Sequence, residues 1–230
     1  MKQIIETYQY HFFSDNTDIE VTNENVSKIM SKFHRFGLIP SHGEEINPIS
    51  KQFRKVLFLN NLEGTLRLEF GTNDIMIAGK NTSLTDFHSK VFDILDILKD
   101  LYPNKKASRL SVVSSSAYQA SDAEFENLYK DLFTYKGASD LVEWDNRIVQ
   151  RFSLEKSQEI VNSISSIRRG EMQLQGGVPF DVIGIDLDSN TIHQNTDKRF
   201  DYQAAKDVYS ELKEDNERMR GLLERYVPTH

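Results

Sequence analysis

The sequence predicts an α+β fold in which an antiparallel or mixed sheet carries helices on one face. Segments with the two-residue alternation of strands come in runs, which is not the regular strand and helix alternation of a parallel sheet. The order strand, helix, strands, helix occurs twice along the chain. We therefore expect two similar halves, residues 1–103 and 104–230, that form one compact unit and end in a long C-terminal helix.

The first half is predicted to contain a strand, a helix, three strands and a second helix. Residues 4–13 are rich in β-branched and aromatic side chains, and apolar residues recur at helical spacing from Val26 to Phe36. Strands are predicted at 53–59, 62–70 and 74–78, which favours an antiparallel meander. Ser83 and Asp86 resemble a capping box before the second helix, which Pro103 ends.

A polar segment between the first helix and the meander is predicted to be a loop. Two prolines and Gly43 interrupt it, and its side chains offer little to bury. We expect residues 42–48 to be mobile. His42 lies beside Glu44 and Glu45, the most plausible reactive cluster in the sequence, although an exposed loop is the favoured interpretation.

The second half repeats the pattern without residue-level identity to the first. A strand is predicted at 110–118, followed by a helix that Ser121 and Glu124 open as a capping box. Residues 141–152 are strand-like, and 160–167 fits either a strand or a helix. A strand at 178–187 precedes the long helix from about residue 201 to residue 226. Ser114, Ser115 and Ser116 are expected on a solvent-facing strand.

Two segments carry a family resemblance. They are the strand Arg109-Leu110-Ser111-Val112 after a capped helix, and the strand Ile183-Gly184-Ile185-Asp186-Leu187 before the long helix. With the order of elements, they resemble a sporadically distributed group of uncharacterised bacterial proteins found in scattered genomes and mobile elements. The resemblance covers most of the chain. It implies the same architecture and a bacterial, mobile-element or phage origin, and it brings no known catalytic residues.

Composition excludes several classes of protein. The chain has 35 acidic and 28 basic side chains, a net charge of −7 and a pI of about 5.4, so it has no general attraction to nucleic-acid phosphates. It contains no cysteine, which excludes disulfides and thiolate chemistry. The first residues lack the apolar core of a signal peptide, and no apolar run approaches the roughly 20 residues that span a bilayer. We expect a cytoplasmic protein that does not enter a membrane.

Asp186 and Asp188 are the candidate metal ligands. At alternate positions of a strand their carboxylates share one face, and hard divalent cations prefer such oxygens. The following residues lack the Gly and Glu of a calcium loop. A solvated strand end before a turn is the alternative interpretation, and it is the one we favour.

Seven basic residues are the candidate nucleic-acid contacts. Cations and nearby aromatic side chains on an open sheet can neutralise phosphates and stack bases, but the surplus of acidic residues favours surface ion pairing as their role. The seven are Lys105, Lys106, Arg109, Arg147, Arg151, Arg168 and Arg169.

The C-terminal helix has an apolar seam that fits two kinds of packing. The seam includes Tyr209, Leu212, Asn216, Met219 and Leu223 at steps of three and four residues. It predicts either packing on the protein's own sheet or a homodimer in which Asn216 fixes the register. In both packings, leucine at position 216 is expected to stabilise the chain.

The function most consistent with these features is non-catalytic. No familiar nucleophile, phosphate-binding or zinc motif occurs, yet the chain has a substantial apolar fraction. We expect a module that binds another protein through its sheet or loops, without a cofactor. A nucleic-acid or nucleotide-binding protein is the alternative, and a divalent-metal enzyme is the second alternative.

Overall fold

The computed structural model describes residues 1–46, 51–135, 141–174 and 176–226. Within these ranges the chain forms nine β-strands and four α-helices. The strands are β1 (Lys2–Phe13), β2 (Leu38–Ile46), β3 (Phe53–Asn61), β4 (Leu66–Phe70), β5 (Ile75–Lys80), β6 (Arg109–Gln119), β7 (Trp144–Ser153), β8 (Ile160–Met172) and β9 (Phe180–Thr191). The helices are α1 (Asn23–Phe33) after β1, α2 (Leu84–Leu101) after β5, α3 (Asp122–Leu132) after β6 and α4 (Tyr202–Leu223) after β9.

The strands form one sheet in the order β2-β3-β4-β5-β1-β6-β9-β8-β7. Every neighbouring pair is antiparallel. The pairing of β1 with β6 joins the strands before residue 103 to those after it, and β2 and β7 lie at the two ends. The protein is therefore α+β with an antiparallel sheet, as the sequence predicts.

The helices pack on one face of this sheet. In β1, alternate side chains are buried, and three of them meet aromatic rings of the helices: the ring centroids lie 6.1 Å apart for Tyr8 and Phe87, 5.1 Å for Tyr10 and Tyr209, and 5.2 Å for Phe12 and Tyr202. Because cross-strand neighbours share a face, the matching residues of the other strands point toward the helices as well. The opposite face of the sheet carries no helix within the described ranges.

Two groups of buried apolar side chains form the core. The larger group lies under α1, α2 and the first turns of α4, and it includes residues on both sides of position 103, such as Tyr10, Leu110 and Tyr209. The smaller group lies under α3 and the end of α4, around Trp144 and Ile183. Helix α4 contributes to both groups and so lies across the middle of the sheet.

Helix α4 is also fixed to the sheet by buried polar side chains. Asn216 is fully buried; its Oδ1 accepts a hydrogen bond from Ser114 Oγ at 2.7 Å, and its Nδ2 lies 3.3 Å from the carbonyl oxygens of Val112 and Leu187. Ser189 Oγ donates to Asp215 Oδ2 at 2.7 Å. Strands β6 and β9 are therefore both tied to the helix by polar contacts.

Of the two packings that the seam on this helix predicts, the structure shows the one on the protein's own sheet. Tyr209, Leu212, Asn216 and Met219 are buried against the protein's own sheet, and Leu223 packs at the border of the smaller core group. A second copy cannot reach side chains that are already covered. The heptad spacing instead reflects the stripe with which α4 lies on β6 and β9.

The mobile loop predicted at 42–48 is wrong for the residues that the structure describes. Residues Leu38–Ile46 form β2, which pairs with β3 along its whole length. The hairpin-like pairing brings Gly43 opposite Val56, with the Phe58 ring over the glycine. The rest of the predicted loop, residues 47 and 48, lies outside the described residues.

The structure resolves two further predictions in the second half. Residues 160–167, which fit either a strand or a helix, belong to β8. Ser114 and Ser116 are buried beneath α4 and do not face solvent, because β6 lies at the centre of the sheet under that helix. No helix in the described part of the chain is long and apolar enough to cross a membrane.

Candidate functional site

The uncovered face of the sheet carries a continuous row of polar side chains. The strand register places His11, Ser111, Asn190, Asn162 and Arg151 side by side across β1, β6, β9, β8 and β7. Arg151 Nε donates to Asn162 Oδ1 at 2.9 Å, and Asn162 Nδ2 lies 3.3 Å from Asn190 Oδ1. Within the described ranges, Nδ2 of Asn190 is buried without a hydrogen-bond partner. The row therefore links the centre of the sheet to its β7 edge.

A histidine and an aspartate begin this row. His11 Nδ1 lies 2.8 Å from Asp74 Oδ2, and its Nε2 lies 3.1 Å from Gln9 Oε1. Ser111 is opposite His11, but its hydroxyl donates to Asp188 Oδ1 at 2.7 Å. Since the hydroxyl is directed to a carboxylate and the imidazole to an amide, these residues do not form a nucleophile and its general base.

The candidate metal ligands lie in the middle of a strand and each has a protein partner. Asp186 and Asp188 point to the uncovered face from β9, which continues to Thr191 and so does not end at the pair as we expected. Asp186 Oδ2 lies 2.9 Å from Arg168 Nη2, and Asp188 accepts the hydrogen bond from Ser111. No group of three histidine, aspartate or glutamate side chains in the described residues is placed to hold a metal ion. The pair forms part of an ion-paired surface.

Four of the seven basic residues lie on the uncovered face. Arg109 is in β6, where its guanidinium stacks 4.7 Å from the ring centroid of Phe13. Arg147 and Arg151 are in β7, and Arg168 is in β8 beside Asp186. Strand alternation turns their side chains to the same side.

The other three basic residues are elsewhere. Lys105 is buried, and its Nζ donates to the carbonyl oxygen of Asp15 at 2.8 Å and to Asp18 Oδ1 at 2.7 Å. Arg169 points toward the helices, where it stacks 4.3 Å from the ring centroid of Phe125 and bonds to Asp181. Lys106 is exposed in the turn before β6. The seven therefore do not form one patch.

A small cavity lies on the other side of the sheet, beneath the end of α4. It has a volume of about 160 Å³ and is lined by Ser114, Ser116 and Tyr118 with the ion pair between Glu6 and Arg220. Ligand pockets for drug-sized molecules have volumes of about 300–1,000 Å³. This cavity is smaller than such pockets.

No family model matches this chain, and a search of curated proteins finds no match either. The functional conclusion therefore depends on the surfaces themselves.

The edge strand β7 is the most unusual surface that the sequence did not reveal. Ile148 and Val149 at its centre are 54% and 47% exposed, on opposite faces of the sheet. The sequence predicts this strand but not its place in the sheet, which depends on β9 returning beside β6. The available signal was an apolar pair surrounded by charged and amide side chains in residues 145–151.

Proposed function

We propose that this protein is a non-catalytic interaction module that binds another protein through the uncovered face of its sheet. One observation supports the proposal above the others: all four described helices pack on the same side, so the other side of the nine-stranded sheet is free of helices. A two-layer protein needs helices on only one side to bury its core, and the second face is then available for binding.

The chemistry of that face favours a protein partner. Arg147, Arg151 and Arg168 alternate with Asp145 and Asp186, so charges of both signs lie within a few strands of one another. Exposed apolar side chains, Val149 and Ile160, lie among them. Mixed charges around scattered apolar groups are typical of protein interfaces, whereas a nucleic-acid site needs an excess of cations.

Affinity capture from the native host tests this proposal with a charge reversal on the uncovered face. Arg147→Glu changes an exposed residue of β7 there, and Lys130→Glu makes the matched change on α3, whose Lys130 is 65% exposed. We expect one partner to be recovered with the wild type and with Lys130→Glu, and to be lost with Arg147→Glu. A partner that binds all three equally would contradict the proposal.

Nucleic-acid binding is the second candidate, because Arg109, Arg147, Arg151 and Arg168 share the uncovered face. Two measurements distinguish it from the first. Nuclease treatment would remove the captured partner, and binding to a single-stranded oligonucleotide would weaken steeply with salt. Lys105 and Arg169 provide a control, since their cations are used inside the protein and should not contribute to the salt dependence.

We also propose that the two halves are structural repeats, as the bacterial resemblance implies for the architecture. In each half, the first strand is followed by a helix and a meander, and the last strand of the meander returns beside the first: β5 beside β1, and β9 beside β6. In the described residues, the first half has one more strand than the second. Strand β7 has the position in the second half that β3 has in the first. Strand β3 is followed in the sheet by β2, whereas β7 is the end strand.

A further inference from the structure

The backbone of β7 is free to accept another strand. No strand in the described part of the chain pairs with its outer edge, and its ten residues include neither proline nor glycine. At the other end of the sheet, β2 contains Pro40, which lacks an N–H, and Gly43. Of the two ends of the sheet, β7 is the one on which every residue has both a backbone N–H and a backbone C=O, and alternate residues direct these groups to the outer edge.

The side chains of β7 are complementary to themselves when the strand is read in both directions. We propose that a second copy of this chain binds β7 by antiparallel pairing, with Ile148 opposite Ile148 of that copy. This register places Asp145 opposite the second copy's Arg151, twice by symmetry, and Asn146 opposite the second copy's Gln150. Opposite charges and paired amides directly across an antiparallel ladder stabilise it.

Neighbouring registers are disfavoured by the same charges. When a twofold axis keeps the uncovered faces of both copies on the same side, only residues that point to the same face can lie opposite each other. The allowed registers are therefore those in which one residue of β7 lies opposite the same residue of the second copy. With Val149 opposite Val149, each Arg147 would face an Arg151; with Arg147 opposite Arg147, two guanidinium groups would meet at the axis. Like charges directly opposite destabilise a ladder, so the register centred on Ile148 is favoured over both of these neighbours.

An apolar groove beside the strand supports the same partner. It has a volume of about 220 Å³ and lies between β7 and the end of α4, lined by Ile148, Ile167, Met219 and Leu222 among others. Leu222 is 59% exposed and Ile148 54% exposed. The second copy's Ile148 would lie at the rim of this groove and cover it. The nine strands would then continue into a sheet of two copies with the helices of both on one side.

Sedimentation velocity over roughly a hundredfold range of protein concentration tests the association. We expect the wild type to dimerise as its concentration rises. Asp145→Arg places two like-charged pairs across the axis, as does Arg151→Asp, so each should shift dimerisation to at least tenfold higher concentration. The double variant exchanges the two charges and should restore the wild-type behaviour. Circular dichroism confirms that each variant is folded, because Asp145 also accepts a hydrogen bond from Ser166 and Arg151 donates one to Asn162.

Cysteine cross-linking tests the register independently. The chain has no cysteine, so Ile148→Cys introduces a unique thiol. In the proposed register two such thiols are directly opposite, within the distance that a disulfide spans. Oxidised glutathione should convert this variant to a covalent dimer on a non-reducing gel. Ile39→Cys, at a 49% exposed position of β2, is the matched control and should remain monomeric.

Each adverse result overturns the proposal. A wild type that stays monomeric over the whole range excludes the dimer, and a dimer unaffected by the charge variants excludes this interface. Cross-linking of Ile39→Cys in place of Ile148→Cys moves the contact to the other edge. The inference does not depend on the proposed function, since the uncovered face can bind a partner whether or not β7 pairs.

Discussion

Asn216 is a fully buried polar residue whose side chain joins α4 to strands β6 and β9. Leucine at this position would leave the Ser114 hydroxyl without its acceptor and remove the amide beside the Val112 and Leu187 carbonyls. The contacts therefore reverse the expectation that leucine stabilises the chain. We predict that Asn216→Leu lowers the free energy of unfolding by about 1–3 kcal/mol, measured by urea denaturation.

Two further variants isolate the cause of that loss. Glu214→Leu makes an apolar substitution at an exposed position of the same helix and should change stability little. Ser114→Ala removes the hydroxyl that Asn216→Leu would strand, so the two changes together should cost less than their sum. Strict additivity would show that the hydrogen bond does not cause the loss.

His88 gives the stability a defined pH dependence. Burial lowers its pKa to about 4, with the Lys213 ammonium acting in the same direction and Glu217 opposing it, and its Nδ1 lies 2.8 Å from the Tyr10 hydroxyl. Burial also raises the pKa of Tyr10, so the hydroxyl donates to the neutral ring. A depressed histidine pKa means that the unfolded chain binds the proton more tightly. Stability should fall by roughly 1–2 kcal/mol as the pH drops from 6.5 toward 4, after allowance for partial exposure.

The difference in unfolding free energy between His88→Gln and the wild type, followed as a function of pH, measures this effect. The variant should lack the loss between pH 6.5 and 4, whereas His34→Gln, at an exposed position, should retain it. The Glu124 carboxylate acts in a separate window, because the N-terminal amine and Ser121 lower its pKa to about 2. Its contribution is present above pH 4.5 and is lost only toward pH 2. Identical pH profiles for the wild type and His88→Gln would exclude the assignment.

Among the structural elements, the turn between β7 and β8 is held by a side chain of α4. The buried Glu211 carboxylate accepts hydrogen bonds from the backbone N–H groups of Lys156 at 2.8 Å and Ser157 at 3.0 Å. In Glu211→Gln the carboxamide can accept at one oxygen only, and its NH₂ group would face a donor. We predict faster hydrogen exchange at these two amides and a loss of about 1–3 kcal/mol.

A neighbouring glutamate provides the control for that prediction. Glu214 is exposed one turn along and lies 3.7 Å from the Lys156 ammonium, so Glu214→Gln removes a charge near the same turn without touching the backbone contacts. Exchange at Lys156 and Ser157 should stay slow in this variant. Fast exchange in both variants would mean that the negative charge near the turn protects its amides, and that the direct hydrogen bonds to Glu211 do not.

Sequence patterns predicted elements better than their positions in the sheet. Ser83 and Ser121 are the N-caps of α2 and α3 as expected, because capping contacts are local. Strand β2 was missed because Pro40, Gly43 and two glutamates resemble a loop, and only an end strand with one partner tolerates them.

The candidate site was harder to predict because faces and edges depend on long-range pairing. Arg168 and Arg169 are adjacent in sequence but project to opposite sides of β8, so the basic cluster divides between the uncovered face and the helices. The pair Asp186 and Asp188 shares a face as the alternation predicts. Its partners, Arg168 and Ser111, come from the neighbouring strands and could not be identified from residues near it in sequence.

For the whole molecule, the cooperativity of folding depends on the core that crosses position 103. Tyr10 and Phe12 of β1 pack on Tyr209 and Tyr202 of α4, and β1 pairs with β6 along most of its length. A substitution that destabilises the first half should therefore destabilise the second half as well. Trp144, the only tryptophan, lies in the second half and reports its unfolding.

Gly79→Ala is a destabilising substitution of this kind in the first half. A methyl group at Gly79 would lie 2.4 Å from the Phe87 ring, which is 1% exposed and cannot move aside. Overpacking of this kind costs about 1–3 kcal/mol. Gly170→Ala, in β8, is the matched control because nothing lies within 4 Å of its added methyl. We predict that Gly79→Ala shifts the urea transition seen by Trp144 fluorescence and by circular dichroism equally, and that Gly170→Ala shifts neither appreciably. If the Trp144 transition stayed at its wild-type midpoint while circular dichroism showed an earlier loss of structure, the halves would unfold separately, and the shared core would not couple them.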